Sequence, residues 1–353
     1  MTDYSTRPPS AYASPELSRE PSPLINAPPN PTAMASPALY DAVINGCRDR
    51  PRSIPAKFLY DDRGSQLFNQ ICQVDEYYLT RTEIALTRQR SRDIAAHIGS
   101  RPRLVELGAG SGLKTAILIE SLLDQDLTQY VPIDISSAEL RRCVNRLRQR
   151  FPELSIHPLC TDYTASWYLP EIGHEGRTLA YFPGSTIGNF SPNEAASFLS
   201  CLAAQLGPRG SLLVGVDLVK DPHLLEAAYN DRQGVTAAFN LNLLRRINRE
   251  CGADFNLDAF QHRAVYQPRH ERIEMRLISQ RPQTVHLPDL NLRFEPGDVV
   301  VTEHSYKYRV ESFARLAEGS CWRTRSLWTD DDRLFSLWLL ETTDDRHANH
   351  QPA

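Results

Sequence analysis

Apolar positions along the chain fall into three rhythms, and each predicts its own kind of element. From Pro37 to Arg48 they recur at helical spacing, through Leu39, Tyr40, Val43 and Ile44, and a longer helix is expected to begin near Thr80. The middle holds bare apolar runs: Leu104–Leu107, Gln129–Ser136, Leu154–Pro158, Arg177 to the break at Pro183, and Ser211–Val219. Helical patterns separate them, over Lys114–Leu123, from Ser137 onward, and from a capping box at Ser191 and Glu194 with Pro192 in the first turn. Strand and helix in alternation predict an α/β doubly wound sheet whose strands are buried on both faces. Leu224–Asn248 is helical with a break at Tyr229–Gly234, and after Phe255 polar and apolar residues alternate in the antiparallel manner. Ser305–Leu316 reads as a helix, and two strands, Cys321–Asp330 and Arg333–Thr342, turn at Asp330, Asp331 and Asp332.

The first apolar run ends in ELGAGSGLKT, which places Gly108, Gly110 and Gly112 at a strand-to-helix turn where a backbone without Cβ can approach a ligand. A dinucleotide fingerprint would need its third glycine at Leu113, and a phosphate-binding Walker loop would not tolerate Leu113 between Gly112 and Lys114. What remains is the ELGxGxG pattern of class I S-adenosylmethionine (SAM) methyltransferases, with Glu106 expected to reach toward the cofactor. Asp134 ends the next strand, where a carboxylate can accept both ribose hydroxyls. Asp162 and Tyr163, after the third run, fit a polar acceptor and an aromatic wall for adenine. The loop after Pro183 exposes Gly184, Ser185, Thr186, Gly188 and Asn189 at a strand end, where ligands of such sheets bind.

Composition narrows the partners. The 353 residues are 41% hydrophobic and 23% charged, with a net charge of −4, so a full core is available and no electrostatic footprint for nucleic acid exists. The basic stretch Arg141–Arg150 reads as a solvated helix face. Seven cysteines stand singly, without metal-ligand spacing or a disulfide framework, which predicts free thiols in a reducing cytoplasm and no metal. Without a Lys/Arg-dense stripe a small-molecule substrate is expected. The N-terminal residues show no charged-then-apolar signal pattern and the longest apolar stretches are too short to span a bilayer, so no membrane partner is expected, and the enzyme is expected to be a monomer. Residues 1–38 hold nine of the 25 prolines and read as a disordered tail, as do the residues after Asp345.

Several segments together resemble the L-histidine Nα-methyltransferase family of ergothioneine biosynthesis: FLYDDRGSQLF, EYYLTRTE, ELGAGSGLKT, YVPIDIS, GSTIGN, VDLVKD, AYNDRQGVTAAFN and TEHSYKY, in that family's order. The resemblance runs from about Pro55 to Thr343. It implies a seven-stranded Rossmann-like domain over residues 80–220, completed by a C-terminal helix and hairpin over 305–345. Residues 39–79 and an inserted α+β segment, 221–304, would form the substrate-binding part. It also implies SAM contacts from Gly108, Lys114, Asp134, Asp162 and Tyr163, the last where the family more often has Phe. Asn189 and Tyr229 would hold the amino-acid end of the substrate, Tyr60, Tyr77 and Gly184 would line the same pocket, and Glu303 and Ser305 would bond the imidazole. Met275 would narrow that pocket. An extended chain does put Glu303 and Ser305 on one face, with His304 on the other. The alternatives are an N-methyltransferase of another amino acid, such as a prenylated tryptophan, and a non-catalytic SAM-binding module.

Overall fold

The computed structural model describes residues 36–48, 50–165, 167–169 and 176–343. The tails expected over 1–38 and after Asp345 therefore lie outside the described residues, except for 36–38. Those three lead into helix α1 (Pro37–Arg48), because proline is tolerated where no helical N–H partner exists. A short strand β1 (Arg52–Ser53), a helical turn at Ala56–Leu59, α2 (Asp62–Ile71) and the long α3 (Tyr78–Ile98) follow.

Alternation then begins with β2 (Arg103–Leu107), α4 (Leu113–Leu123), β3 (Gln129–Asp134) and α5 (Ser137–Arg150). The third run splits into β4 (Ser155–Ile156) and β5 (Leu159–Cys160), which pair with the start and the end of β3 on the same edge. Pro158 lies between them and has no N–H to give the ladder. Next come β6 (Thr178–Phe182), α6 (Pro192–Leu206) and β7 (Gly210–Asp217). The capping box at Ser191 and Glu194 forms as its sequence requires.

Helices α7 (Pro222–Tyr229) and α8 (Val235–Cys251) flank the break at Tyr229–Gly234. The alternating region forms β8 (Phe260–Gln267), β9 (Arg272–Ser279), the hairpin β10 (Gln283–Leu287) and β11 (Leu290–Phe294), and β12 (Val299–Tyr306). The chain ends its described part in α9 (Val310–Glu318), β13 (Trp322–Thr329) and β14 (Phe335–Thr342).

The large sheet has the order β13-β14-β7-β6-β2-β3-β4, with β5 continuing the β4 edge. Its central strands are parallel, and β14 inserts antiparallel to β7. Side chains alternate across it. Leu104, Tyr130, Leu213 and Leu339 pack with α3, α4 and α5 on one face, whereas Val105, Val131, Leu212, Val214 and Leu340 pack with α6 and α9 on the other. The smaller sheet, β1-β12-β9-β8, shares one apolar cluster with α1, α2, α7 and α8.

The expected helix at Ser305–Leu316 is corrected by this sheet. Ser305 and Tyr306 still pair with Ile273 and Arg272, and the Lys307 N–H bonds Glu271, so cross-strand bonds hold the segment extended. Helix α9 starts only after Arg309, whose backbone N–H is capped by Ser312.

Gly112 caps α4 in the left-handed region (φ +69°), and a Cβ there would lie 2.7 Å from the Cys143 sulfur. Gly112→Ala is expected to destabilise the fold by about 1–3 kcal/mol through strain and overpacking. Chemical denaturation would measure it as a lowered midpoint.

Candidate active site

One cavity of about 2060 Å3 runs from the glycine-rich turn to the face of β12. The carboxyl ends of β2, β3 and β6 form one side, and Tyr60, Tyr77, Tyr229, Glu303 and Ser305 form the other.

On the first side the turn is folded by its neighbour strand. The N–H groups of Gly108 and Ala109 both bond the Ile133 carbonyl, at 2.8 and 3.0 Å, with φ +79° and +49° at Gly108 and Gly110. Asp134 accepts the Gly110 N–H at 3.0 Å and the Ser136 N–H at 2.8 Å. Its carboxylate thus holds the turn and faces the cavity with lone pairs to spare. Burial raises its pKa, against those backbone bonds. Tyr163 packs edge-on against Phe182 and Phe198 and lies over Gly108, walling the turn as an adenine neighbour would. Asp162 is bonded to Thr164 and, across the cavity, to Lys57 at 2.8 Å. An acid at the second strand end, a glycine cradle and an aromatic wall fit the ribose, the methionyl chain and the adenine of SAM.

Two expected cofactor residues line the cavity and are also tied to other side chains. Glu106 receives the hydroxyls of Thr115 and Tyr130 on its two oxygens, so its carboxyl braces the turn. Burial pushes its pKa up to about 8. Lys114 is paired with Glu83, a fully buried carboxylate that also accepts the Gly184 N–H at 2.9 Å. These two side chains therefore join α4, α3 and the loop after β6.

On the second side, Tyr60, Tyr77 and Tyr229 belong to an aromatic cluster with Phe68 and Phe239. Burial holds the phenol pKa of all three above the usual value, so they stay protonated. The turn Thr186–Asn189 brings Asn189 beside β12. Gly188 makes this approach possible, since a Cβ there would lie 2.6 Å from the Tyr306 carbonyl. Glu303 has its pKa raised to about 7 by burial, with the Lys307 charge pulling the other way. Ser305 Oγ is 2.9 Å from the Tyr229 hydroxyl.

Met275 is a correction. It faces Glu303 across the β9–β12 ladder but is buried in the apolar cluster and does not line the cavity. His304 lies on the other face of β12 from Glu303 and Ser305, opposite Glu274, and the cavity reaches it there together with Glu194. Sequence reasoning missed Lys57, Glu83, Asp217 and Lys307. The one usable signal was Asp217 within the apolar run of β7, because a charge in a two-face-buried strand needs a buried partner.

A parallel sheet closed by an antiparallel C-terminal hairpin, with this glycine turn and acidic strand end, defines a class I SAM-dependent methyltransferase. The chain belongs to the family of SAM-dependent histidine-specific methyltransferases, whose model matches residues 39–342. It is 43% identical over 309 residues to the histidine N-alpha-methyltransferase of Mycolicibacterium smegmatis, covering 86% of this chain and 95% of the relative. The Mycobacterium tuberculosis protein of the same name is 41% identical, at 86% and 94% coverage. Ergothioneine biosynthesis protein 1 of Neurospora crassa is 30% identical over 300 residues, which are 80% of this chain and 32% of that one.

Proposed function

We propose that this protein trimethylates the α-amino group of L-histidine with SAM, giving Nα,Nα,Nα-trimethylhistidine (hercynine), the first step of ergothioneine biosynthesis. The observation that carries the substrate is the pair Glu303 and Ser305 on one face of β12, at the cavity wall opposite the glycine turn. A neutral imidazole has one N–H donor and one acceptor nitrogen, which a carboxylate and a hydroxyl satisfy together. An indole has only the donor, so a proton that Ser305 directs outward would find no acceptor nitrogen on it. The cluster that joins residues 39–79 to the inserted segment 221–304 supports reading both as the substrate-binding part.

When bound, SAM supplies a methyl already activated by its sulfonium. The chain's own task is to place an amine lone pair in line and keep water away. Asn189 and Tyr229 hold the amino-acid end, and the imidazole contacts at Glu303 and Ser305 fix the distance from there to the amine. An α-amine has a pKa of roughly 8 in peptides, and desolvation among buried tyrosines favours its neutral form. No protein nucleophile is needed. Tyr60 and Tyr77 stay uncharged, so their hydroxyls can steer the early amine and their ring faces can border the later cation.

Tyr60→Phe is expected to slow the first methylation by about tenfold, the value of one hydrogen bond, and to change the ratio of mono-, di- and trimethylated product. Unchanged rate and ratio in time-resolved product analysis would remove Tyr60 from this role. The substrate assignment is tested by initial rates of S-adenosylhomocysteine release with L-histidine, L-tryptophan and 4-prenyl-tryptophan. Turnover on histidine alone is expected, and preference for an indole would overturn the assignment.

A further inference from the structure

Behind Ser305 and Tyr229 lies a layer of buried charge that the methyl-transfer chemistry does not use. Asp217 ends β7, Lys307 follows β12, and both side chains are wholly buried 2.9 Å apart. The backbone repeats this link between the two sheets, with the Tyr308 N–H on the Asp217 carbonyl at 3.0 Å. Asp217 also receives Lys220 at 2.6 Å and the Tyr78 hydroxyl at 2.9 Å, so its charge is doubly compensated. Lys307 has two further bonds, to the Tyr229 hydroxyl at 2.9 Å and to Ser305 Oγ at 2.8 Å.

Proton counting makes this arrangement informative. An ammonium has three N–H donors and no acceptor, and Asp217, Tyr229 and Ser305 take all three. Both hydroxyl oxygens have then accepted from Lys307, and they bond each other at 2.9 Å. One hydroxyl proton lies between them, which leaves one proton for the cavity. With Tyr229 donating to Ser305, Ser305 is the outward donor and can meet the acceptor nitrogen of an imidazole whose N–H goes to Glu303. With Ser305 donating to Tyr229, the outward proton sits on Tyr229 and serves the amino-acid end. Without Lys307 neither hydroxyl oxygen has a fixed donor on its inner side, so a hydroxyl proton could turn inward and leave the cavity without one.

We propose that Lys307, anchored on Asp217, is a positioning residue for histidine recognition: it makes Ser305 and Tyr229 a hydroxyl pair with a single outward proton, shared between the two ends of the substrate. This rests on the histidine reading above. Burial opposes the Lys307 charge, but Asp217 and Tyr229 hold its pKa above the ordinary lysine value, so it remains a donor throughout the neutral range. Lys220 differs: burial lowers it to about 8, so it can release its proton if Asp217 is neutralised.

The test uses the full-length protein and the variants Lys307→Met and Lys307→Met with Asp217→Asn, the second removing the carboxylate that the first leaves with one partner fewer. Thermal unfolding and S-adenosylhomocysteine affinity report the fold and the cofactor side, and initial rates at saturating SAM report KM and kcat for histidine. Loss of the hydroxyl orientation is expected to raise the histidine KM by about tenfold or more while S-adenosylhomocysteine affinity moves by less than about twofold. A purely structural role would lower the fraction of binding-competent protein, and with it kcat, and leave KM in place. A folded variant, single or double, whose histidine KM stays within about twofold of the parent overturns the proposal. A parent protein that forms no methylated histidine overturns the histidine reading itself, and is seen before any variant is compared.

Discussion

Asp134→Ala is expected to weaken SAM binding by roughly two to three orders of magnitude, the largest loss at any single position on the cofactor side. Two effects combine. The carboxylate is the group at the end of β3 that can accept both ribose hydroxyls, and charge-assisted bonds of this kind contribute about 1.5–3 kcal/mol each. The same carboxylate accepts the Gly110 and Ser136 N–H groups, so its removal also frees the glycine turn. Asp134→Asn keeps an acceptor for one N–H and should lie between parent and alanine. Titration calorimetry with S-adenosylhomocysteine measures the difference, and an alanine variant within about fivefold of the parent would exclude the ribose role.

Glu303→Ala is expected to lower kcat/KM for L-histidine by roughly a hundredfold, about 3 kcal/mol, because the contact proposed for the imidazole N–H loses a charged acceptor in a buried site. The pH dependence carries the sign. Burial holds the Glu303 pKa near 7, above its ordinary 4.5, so the anionic acceptor is present above pH 7 and is lost as pH falls through it. The parent's kcat/KM should thus fall on the acid side with a component near 7 that Glu303→Gln lacks, while the titrations of histidine itself remain in both. Stability moves oppositely. Between 4.5 and 7 the native protein holds a proton that the unfolded chain has released, so Glu303 makes the free protein less stable as pH rises through this window. Glu303→Gln should flatten that slope in denaturant titrations at pH 5 and pH 7.5.

The large sheet was legible because its strands announce themselves: β6 and β7 are buried at every position, and the apolar runs Leu179–Phe182 and Leu212–Val216 form most of both. The place of the glycine turn was legible from its spacing, and that of Asp134 at the end of β3 from the apolar run before it. Ser305 to Leu316 was not, because cross-strand bonds from β9 and Glu271 hold Ser305, Tyr306 and Lys307 extended, and no local pattern shows a partner about 30 residues away. Met275 was assigned to the pocket through the resemblance. Its place opposite Glu303 is correct, yet the apolar cluster takes the side chain. Glu106 sits where a cofactor contact was expected, and its bonds to Thr115 and Tyr130 were not legible, since Tyr130 comes from the adjacent strand. Lys307 was invisible because two of its three acceptors, Asp217 on β7 and Tyr229 on α7, are distant in sequence and adjacent to it only in the fold.

The central claim is that the α-amine of histidine is the acceptor and that it takes three methyl groups. Tandem mass spectrometry of the product formed from purified protein, SAM and L-histidine tests it most directly. Successive gains of one, two and three methyls are expected, all on the α-nitrogen, with an unmodified imidazole fragment at every stage. Methyl groups on an imidazole nitrogen would contradict it, because Glu303 and Ser305 would then face the reacting centre and not the recognition end, and so would a series that stops at one methyl.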